Sequence, residues 1–380
     1  MDMNDIRARI DDIDTQMVEL YKQRMAAVSD IGAYKRAHGL PVYDSERERK
    51  LLNKVGEQAG DEYEGGVRAM FQTIMELSRS YQLRAAGRSS ALTADMDAAV
   101  NGTDKLFPPK AMVACQGVEG AYSQMACEKL FDMPSIMYCK NFESVFAAID
   151  SGLCRYGILP IENSLAGSVN SVYDQMISRN FYIVRSARIK IDHVLLAKSG
   201  ARLEDIREVY SHEQAINQCA RFLAAHKDIH VNVCANTAVA AKMVAESGRN
   251  DAAAISSGNC AALYGLSELC GGIQDNGNNH TRFICISKKL EIYPGADRTS
   301  MMMVLPNKPG SLYHVLSRFY ALGINLTKLE SRPMPGHDFD FMFYFDVDAS
   351  IYSPALKQLI TELDTELEHF TYLGSYSEVM

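Results

Sequence analysis

The chain has 380 residues, a formal net charge of −8 and 47% hydrophobic residues. That length exceeds a single core and suits roughly two to four domains, and the negative balance argues against a general nucleic-acid surface. No apolar run approaches the ~20 residues of a membrane span, the polar, acidic N-terminus is unlike a signal peptide, and nine scattered cysteines without a CxxC pair read as free thiols of a reducing cytoplasm.

The first element is a long helix. Ile6, Ile10, Ile13, Met17 and Leu20 follow one another at steps of four and three, which is one helical face. The same stripe continues as Arg24, Val28, Ile31 and Lys35, so two cations stand where burial is expected. Buried charge is costly unless paired, and no carboxylate lies on that part of the stripe. Either the partner is an anionic ligand, or the long stems lie along apolar surface and send their charge to water. After Gly39 and Pro41, Asp44 can cap a helix that carries Leu51, Leu52 and Val55, with Arg47 and Glu48 one turn earlier on the same face. A third helix runs from about Val67 to Arg84, and its stripe of Met70, Phe71 and Ile74 turns polar at Ser78 and Gln82. Three helices with polar groups facing inward outline one pocket suited to a small dicarboxylate.

In Arg7, Arg24, Lys35, Asp44, Arg47, Glu48, Ser78 and Gln82, residues 1–85 resemble the all-helical chorismate mutase domain. The resemblance implies an intertwined dimer in which Arg7 serves the site of the other subunit. It implies the rearrangement of chorismate to prephenate without a covalent intermediate, by holding a compact conformer and stabilising charge on the ether oxygen. Lys35 and Gln82 would donate to that oxygen, with Glu48 beside them in the catalytic set. Arg7, Arg24 and Arg47 would hold the carboxylates, and Asp44 and Ser78 complete the binding set.

Residues 86–110, rich in Ala, Ser, Gly and Asp and closed by Pro-Pro, read as a linker. From 111 to 290, apolar strand patterns at 111–115, 135–139, 156–160, 182–197, 207–211, 229–234, 252–256 and 281–287 alternate with helical patterns. This predicts an α/β architecture with parallel sheets and ligands at loops beyond strand ends. Those loops carry Gly117 to Ser123, then Glu162-Asn163-Ser164, then Ser211-His212, then Asn236-Thr237. Taken singly, each is equally an ordinary turn or helix cap.

In that order, and with Thr281-Arg282-Phe283 opening the last strand, they resemble prephenate dehydratase. The resemblance implies two α/β lobes around a cleft, as in type II periplasmic binding proteins, with the chain leaving the first lobe near residue 190 and returning near 280. Thr281 would be the essential donor to the departing hydroxyl. Ser123, Glu162, Asn163, Ser164, Ser211, His212, Thr237 and Phe283 would belong to the substrate site. Arg282 is read either as an anchor for the side-chain carboxylate or as half of a structural ion pair. No metal cluster or dinucleotide fingerprint is seen, and neither reaction needs a cofactor.

Residues 298–380 begin a new pattern after Tyr293-Pro294-Gly295, with segments near 299–305, 310–322, 325–332, 339–348, 353–365 and 368–375. Strand, helix, strand, strand, helix, strand is the ferredoxin-like α+β order. Gly310-Ser311-Leu312 and Glu330-Ser331-Arg332-Pro333 resemble an ACT regulatory domain of the dehydratase type, although Ser311 and the Tyr313 that follows Leu312 depart from the family's Gly-Ala-Leu-Val. The resemblance implies phenylalanine held between paired domains by Gly310, Ser311, Leu312, Asn325, Glu330, Ser331 and Arg332. The ligand carboxylate would lie against a helix N-terminus.

The multidomain order is that of the bifunctional chorismate mutase/prephenate dehydratase family. It implies a cytoplasmic homodimer or larger assembly that turns chorismate into prephenate and prephenate into phenylpyruvate, with L-phenylalanine as inhibitor. Arogenate as substrate, or an inactive amino-acid sensor, are the alternatives that the residues leave open.

Overall fold

The structure is a computed structural model that describes residues 2–85, 90–333 and 341–380. Two compact units are built from it. One takes residues 1–97 and 302–371, the other residues 98–301 and 372–380.

The first unit opens with α1 (Met3–Ala37), capped by the Asp2 side chain on the N–H groups of Asn4 and Asp5. The next helix, α2 (Ser45–Ala85), breaks at Gly60, where φ is +71° and ψ is 165°. The break folds the helix back on itself. Arg68 reaches Asn53 Oδ1 at 3.3 Å, and Arg79 reaches Glu48 Oε2 at 2.6 Å. The two arms are the second and third helices expected from the apolar stripes, joined at a single glycine. The stripe of α1 is not covered within one chain: Ile6, Ile10, Ile13, Met17 and Leu20 are all exposed.

The stretch expected to be a linker holds a helix, α3 (Ala91–Gly102). Alanine is the strongest helix former, and the Ser90 hydroxyl accepts the Thr93 N–H at 3.2 Å, so composition that reads as flexible is locally helical.

The second unit carries two sheets. Its first lobe begins with β1 (Met112–Gln116), α4 (Tyr122–Leu130), β2 (Ser135–Cys139), α5 (Phe142–Asp150), β3 (Tyr156–Asn163), β4 (Gly167–Ser168), α6 (Asn170–Arg179) and β5 (Tyr182–Lys190). The second lobe holds β6 (Val194–Lys198), β7 (Glu208–Ser211), α7 (Glu213–Gln218), α8 (Ala220–Ala225), β8 (His230–Val233), α9 (Thr237–Glu246), β9 (Ala252–Ser256), α10 (Asn259–Tyr264) and β10 (Leu266–Cys270). The chain then returns as β11 (His280–Ser287), between β3 and β5.

Three expectations are corrected here. The apolar run 182–197 is two strands in different sheets, interrupted at Asp192-His193, because the chain crosses lobes there. The sheets are mixed rather than parallel: β1, β2 and β3 run parallel, but β11 is antiparallel to both β3 and β5. A strand that re-enters from the other lobe arrives at the opposite end of the sheet. The strand Leu266–Cys270 was not expected at all. Its polar Ser267 and Glu268 hide the alternation of an edge strand in the order β10-β6-β9-β7-β8.

The chain continues through β12 (Arg298–Leu305), α11 (Ser311–Ala321), β13 (Asn325–Pro333), β14 (Phe341–Asp348), α12 (Pro354–Glu366) and β15 (Phe370–Tyr376), and closes with β16 (Glu378–Val379) beside β5. The sheet order β13-β14-β12-β15 is the ferredoxin-like arrangement, with β13 on an edge. The start of the expected strand 339–348 lies outside the described residues. Within the first unit, α2 meets this segment through Ser317 Oγ on Glu76 Oε2 at 3.0 Å and Gln358 Nε2 on Ser80 Oγ at 3.0 Å.

Candidate functional site

Between the two lobes lies a cavity of about 460 Å³, lined by Ser123, Asn163, His193, His212, Gln218, Thr237, Thr281 and Phe283 among others. That volume suits a small organic acid. Its floor is where the chain crosses between lobes: His193 stands at the outward crossing, and Asn279 and Thr281 at the return. Thr281 pairs with Asn163 in the β11–β3 register, so one residue of each strand end faces the other.

The hydrogen bonds around Thr281 have a defined direction. The Leu165 and Ala166 N–H groups donate to Asn163 Oδ1 at 3.0 and 2.9 Å. Backbone donors thus fix the amide, and Asn163 must present Nδ2 on its other side. That nitrogen donates to Asn279 Oδ1 at 2.7 Å and to Thr281 Oγ1 at 2.9 Å. Thr281 accepts from Asn163 and therefore keeps its own proton to give away. The chain continues from Asn279 Nδ2 to Gln218 Oε1 at 3.0 Å, and His193 Nε2 lies 2.9 Å from the same oxygen.

Among the described residues no Lys or Arg lines this cavity. Helix starts border it instead. Ala121, Val169 and Asn236 are the N-cap residues of α4, α6 and α9, and all three line the cleft. The N-termini of three helices therefore border one volume, an arrangement that favours an anion.

The sequence-derived residues separate on this geometry. Ser123, Asn163, His212, Thr237, Thr281 and Phe283 line the cleft. His212 is also the N-cap of α7, accepting the Gln214 N–H on Nδ1 at 3.3 Å. Arg282 and Glu162 do not line the cleft. They are register partners on the sheet, with Arg282 Nε 2.9 Å from Glu162 Oε1 and Arg282 only 5% exposed. The ion-pair alternative is the one the structure takes, because a strand turns successive side chains to opposite faces and Thr281 occupies the cleft side. Ser211 is buried and donates to the Ile255 carbonyl, Ser164 donates to the Asn278 carbonyl, and neither is among the residues that line the cavity. His193, Gln218 and Asn279 were missed. Asn279 stands two residues before Thr281 at the opening of the last strand, but His193 and Gln218 belong to no motif, and only the lobe crossings bring the three together.

The N-terminal set is partly assembled in one chain. Arg24 donates to Ser78 Oγ at 2.5 Å across α1 and α2, and burial depresses the Arg24 pKa. Gln82 lies one turn beyond Ser78, and its Oε1 is buried without a hydrogen-bond partner among the described residues. Lys35 donates to the Val42 carbonyl at 2.6 Å, and Asp44 accepts the Arg47 N–H, leaving the Arg47 side chain exposed. Glu48 is held by Arg79, which the break at Gly60 brings back to it. Arg7 lies on the same straight helix as Arg24, seventeen residues away, or about 25 Å. It cannot reach the Arg24 site of its own chain.

In the C-terminal segment Gly310 is the N-cap of α11, at φ +88°, and Ser311 and Leu312 open the helix. A Cβ at Gly310 would lie 2.9 Å from His314 Nε2. Asn325 begins β13, and Glu330, Ser331 and Arg332 follow on that edge strand, with Lys328 Nζ 3.4 Å from Glu330.

A family model for prephenate dehydratase matches residues 113–291, one for chorismate mutase type II matches 6–83, and one for the ACT domain matches 299–363. The arogenate dehydratase/prephenate dehydratase 2 of Arabidopsis thaliana is 38% identical over 276 residues, covering 70% of this chain and 72% of the relative. A bifunctional chorismate mutase/prephenate dehydratase of Aquifex aeolicus is 29% identical over 382 residues, covering 100% and 99%. A solved prephenate dehydratase of Arthrobacter aurescens in complex with L-Phe superposes with a TM-score of 0.64 at 29% identity, covering 70% of this chain and 89% of that one.

Proposed function

The chain belongs to the prephenate dehydratase family, with a chorismate mutase domain before the dehydratase domain and an ACT domain after it, and on that premise we propose how its two activities and their control are carried out. Chorismate is rearranged on the N-terminal helices. The prephenate formed loses carbon dioxide and its ring hydroxyl in the cleft, and phenylalanine bound at the ACT domain slows the sequence.

The observation that carries the dehydratase reading is the direction of the Asn163–Thr281 hydrogen bond. Decarboxylation breaks the bond from the ring to its carboxylate, and that electron pair aromatises the ring as the C–O bond to the hydroxyl breaks. The departing hydroxide takes up a proton and leaves as water, giving phenylpyruvate and carbon dioxide. Thr281 is a poor free acid, so it acts by donating a hydrogen bond to the leaving oxygen as charge develops there. The N-termini of α4, α6 and α9 receive the carboxylates. The lining contains no Asp or Glu among the described residues, which supports the keto acid prephenate over the ammonium-bearing arogenate.

For the mutase, Arg24 and Ser78 form the wall of the site, with Lys35 and Gln82 as donors to the ether oxygen. Arg7 arrives from a second copy, which would also cover the exposed stripe of α1. Glu48, held by Arg79, Asp44 and Arg47 border the site. Gly310, Ser311, Leu312, Asn325, Glu330, Ser331 and Arg332 form the phenylalanine site, with the ligand carboxylate at the start of α11.

The test is a coupled assay with chorismate alone, following phenylpyruvate with and without phenylalanine. Phenylpyruvate that falls on adding phenylalanine supports the whole reading. Prephenate that accumulates instead removes the dehydratase part, and arogenate becomes the substrate to compare.

A further inference from the structure

His193 is 2% exposed, lines the cleft at the outward lobe crossing, and belongs to no motif that the sequence singles out. Its backbone is fixed: the His193 N–H donates to Gln274 Oε1 at 3.0 Å, and Gln274 Nε2 donates to Asp192 Oδ1 at 2.9 Å. The Tyr122 ring stands edge-on to the imidazole, with centroids 6.2 Å apart.

The tautomer follows from the neighbours. Because Asn163 gives Nδ2 to Asn279 Oδ1, Asn279 must give its own Nδ2 to Gln218 Oε1. Gln218 Oε1 is therefore an acceptor, and the His193 nitrogen 2.9 Å away, Nε2, carries the hydrogen. Nδ1 is buried with no hydrogen-bond partner among the described residues, so a second proton there would find no acceptor among them. Burial also holds the His193 pKa below its usual value, which keeps the ring neutral. With its oxygen engaged by two donors, Gln218 can offer the cleft only its N–H groups.

We propose that His193 is a positioning residue of the dehydratase: its Nε2–H holds the Gln218 amide in the one orientation that presents N–H groups to the anionic substrate. The inference rests on the prephenate reading above. It separates two parts of the network. Thr281 is aimed by Asn163, which backbone N–H groups fix independently. Gln218 is aimed from the His193 side, and without it only Asn279 Nδ2 restrains the amide.

The experiment uses the full chain with prephenate as substrate and the variants H193L, H193Q and H193N. H193L loses the donor, and kcat/KM is expected to fall roughly 10- to 100-fold, most of it as a raised KM. Glutamine can set an amide nitrogen near the position of Nε2, so H193Q is expected to restore KM to within about threefold of the wild type. Asparagine places its amide nearer Nδ1 and should resemble H193L. Far-UV circular dichroism and thermal unfolding of the same preparations report folding, and if H193L does not fold, the order of H193Q and H193N decides. A wild-type KM in H193L, or H193N equal to or better than H193Q, would overturn the proposal. A wild-type protein that leaves prephenate untouched would remove the underlying reading instead.

Discussion

Replacing Asn163 by aspartate changes one atom at the centre of the cleft network and reverses its polarity. Asn163 is 8% exposed, and its Nδ2 faces Asn279 Oδ1 at 2.7 Å, Thr281 Oγ1 at 2.9 Å and the His280 carbonyl at 3.3 Å. In N163D a carboxylate oxygen meets these three acceptors. Nδ2 has two hydrogens for these three contacts, so the two shorter bonds disappear at about 1 kcal/mol each, and buried acceptors left without a donor cost about 1–3 kcal/mol more. Destabilisation of about 3–5 kcal/mol is therefore expected, measurable as a lower denaturant midpoint. The catalytic effect has a different origin. Thr281 now has to turn its proton toward the introduced carboxylate and no longer donates into the cleft. Loss of one oriented donor at a developing negative oxygen lowers kcat roughly 10²- to 10³-fold. Phenylpyruvate formation from prephenate measures it, with the thermal unfolding midpoint of the same sample as the control for folding. An N163D protein whose kcat stays within about threefold of the wild type would refute the argument from hydrogen-bond direction.

Lys35→Ala is expected to lower chorismate turnover by about 100-fold or more while prephenate is still consumed, and parallel loss of both without unfolding would contradict separate sites. Gly310→Ala puts a Cβ at φ +88° and 2.9 Å from His314 Nε2, a strain of about 1–2 kcal/mol before any ligand is considered. The phenylalanine concentration for half inhibition should rise about tenfold or more, and an unaltered inhibition curve counts against a site there. His193 also makes stability depend on pH. Its native pKa lies below 6.5, lowered by burial against the opposing pull of its Gln218 hydrogen bond and the Asp192 carboxylate, so between the two values the unfolded chain binds a proton that the native chain does not. Its contribution is complete above pH 6.5 and is lost as the pH falls through the native pKa. Melting temperatures across pH 5 to 7 should fall less steeply toward acid in H193Q than in the wild type, and superimposable slopes would count against a neutral buried ring.

The features legible in the chain alone are those whose signals are local. The α1 stripe, the Asp44 cap and the βαββαβ order follow from spacing and turn chemistry within short windows, while Asn163, Thr281 and the lobe crossings near 190 and 280 came from the family resemblance that the loop motifs carry together. Which side chains meet was settled by the packing of distant elements. Arg282 is adjacent to Thr281 in sequence, yet strand alternation sends it to Glu162 on the other face. Gln218 and Asn279 are 61 positions apart, and His193 is 25 from Gln218, so no local pattern joins them. Glu48 and Arg79 meet because α2 folds back at Gly60. The three helix N-termini that border the cleft likewise come from distant parts of the chain. Periodicity records which face of an element is buried. It carries no record of what another element, folded from a distant part of the chain, brings to that face.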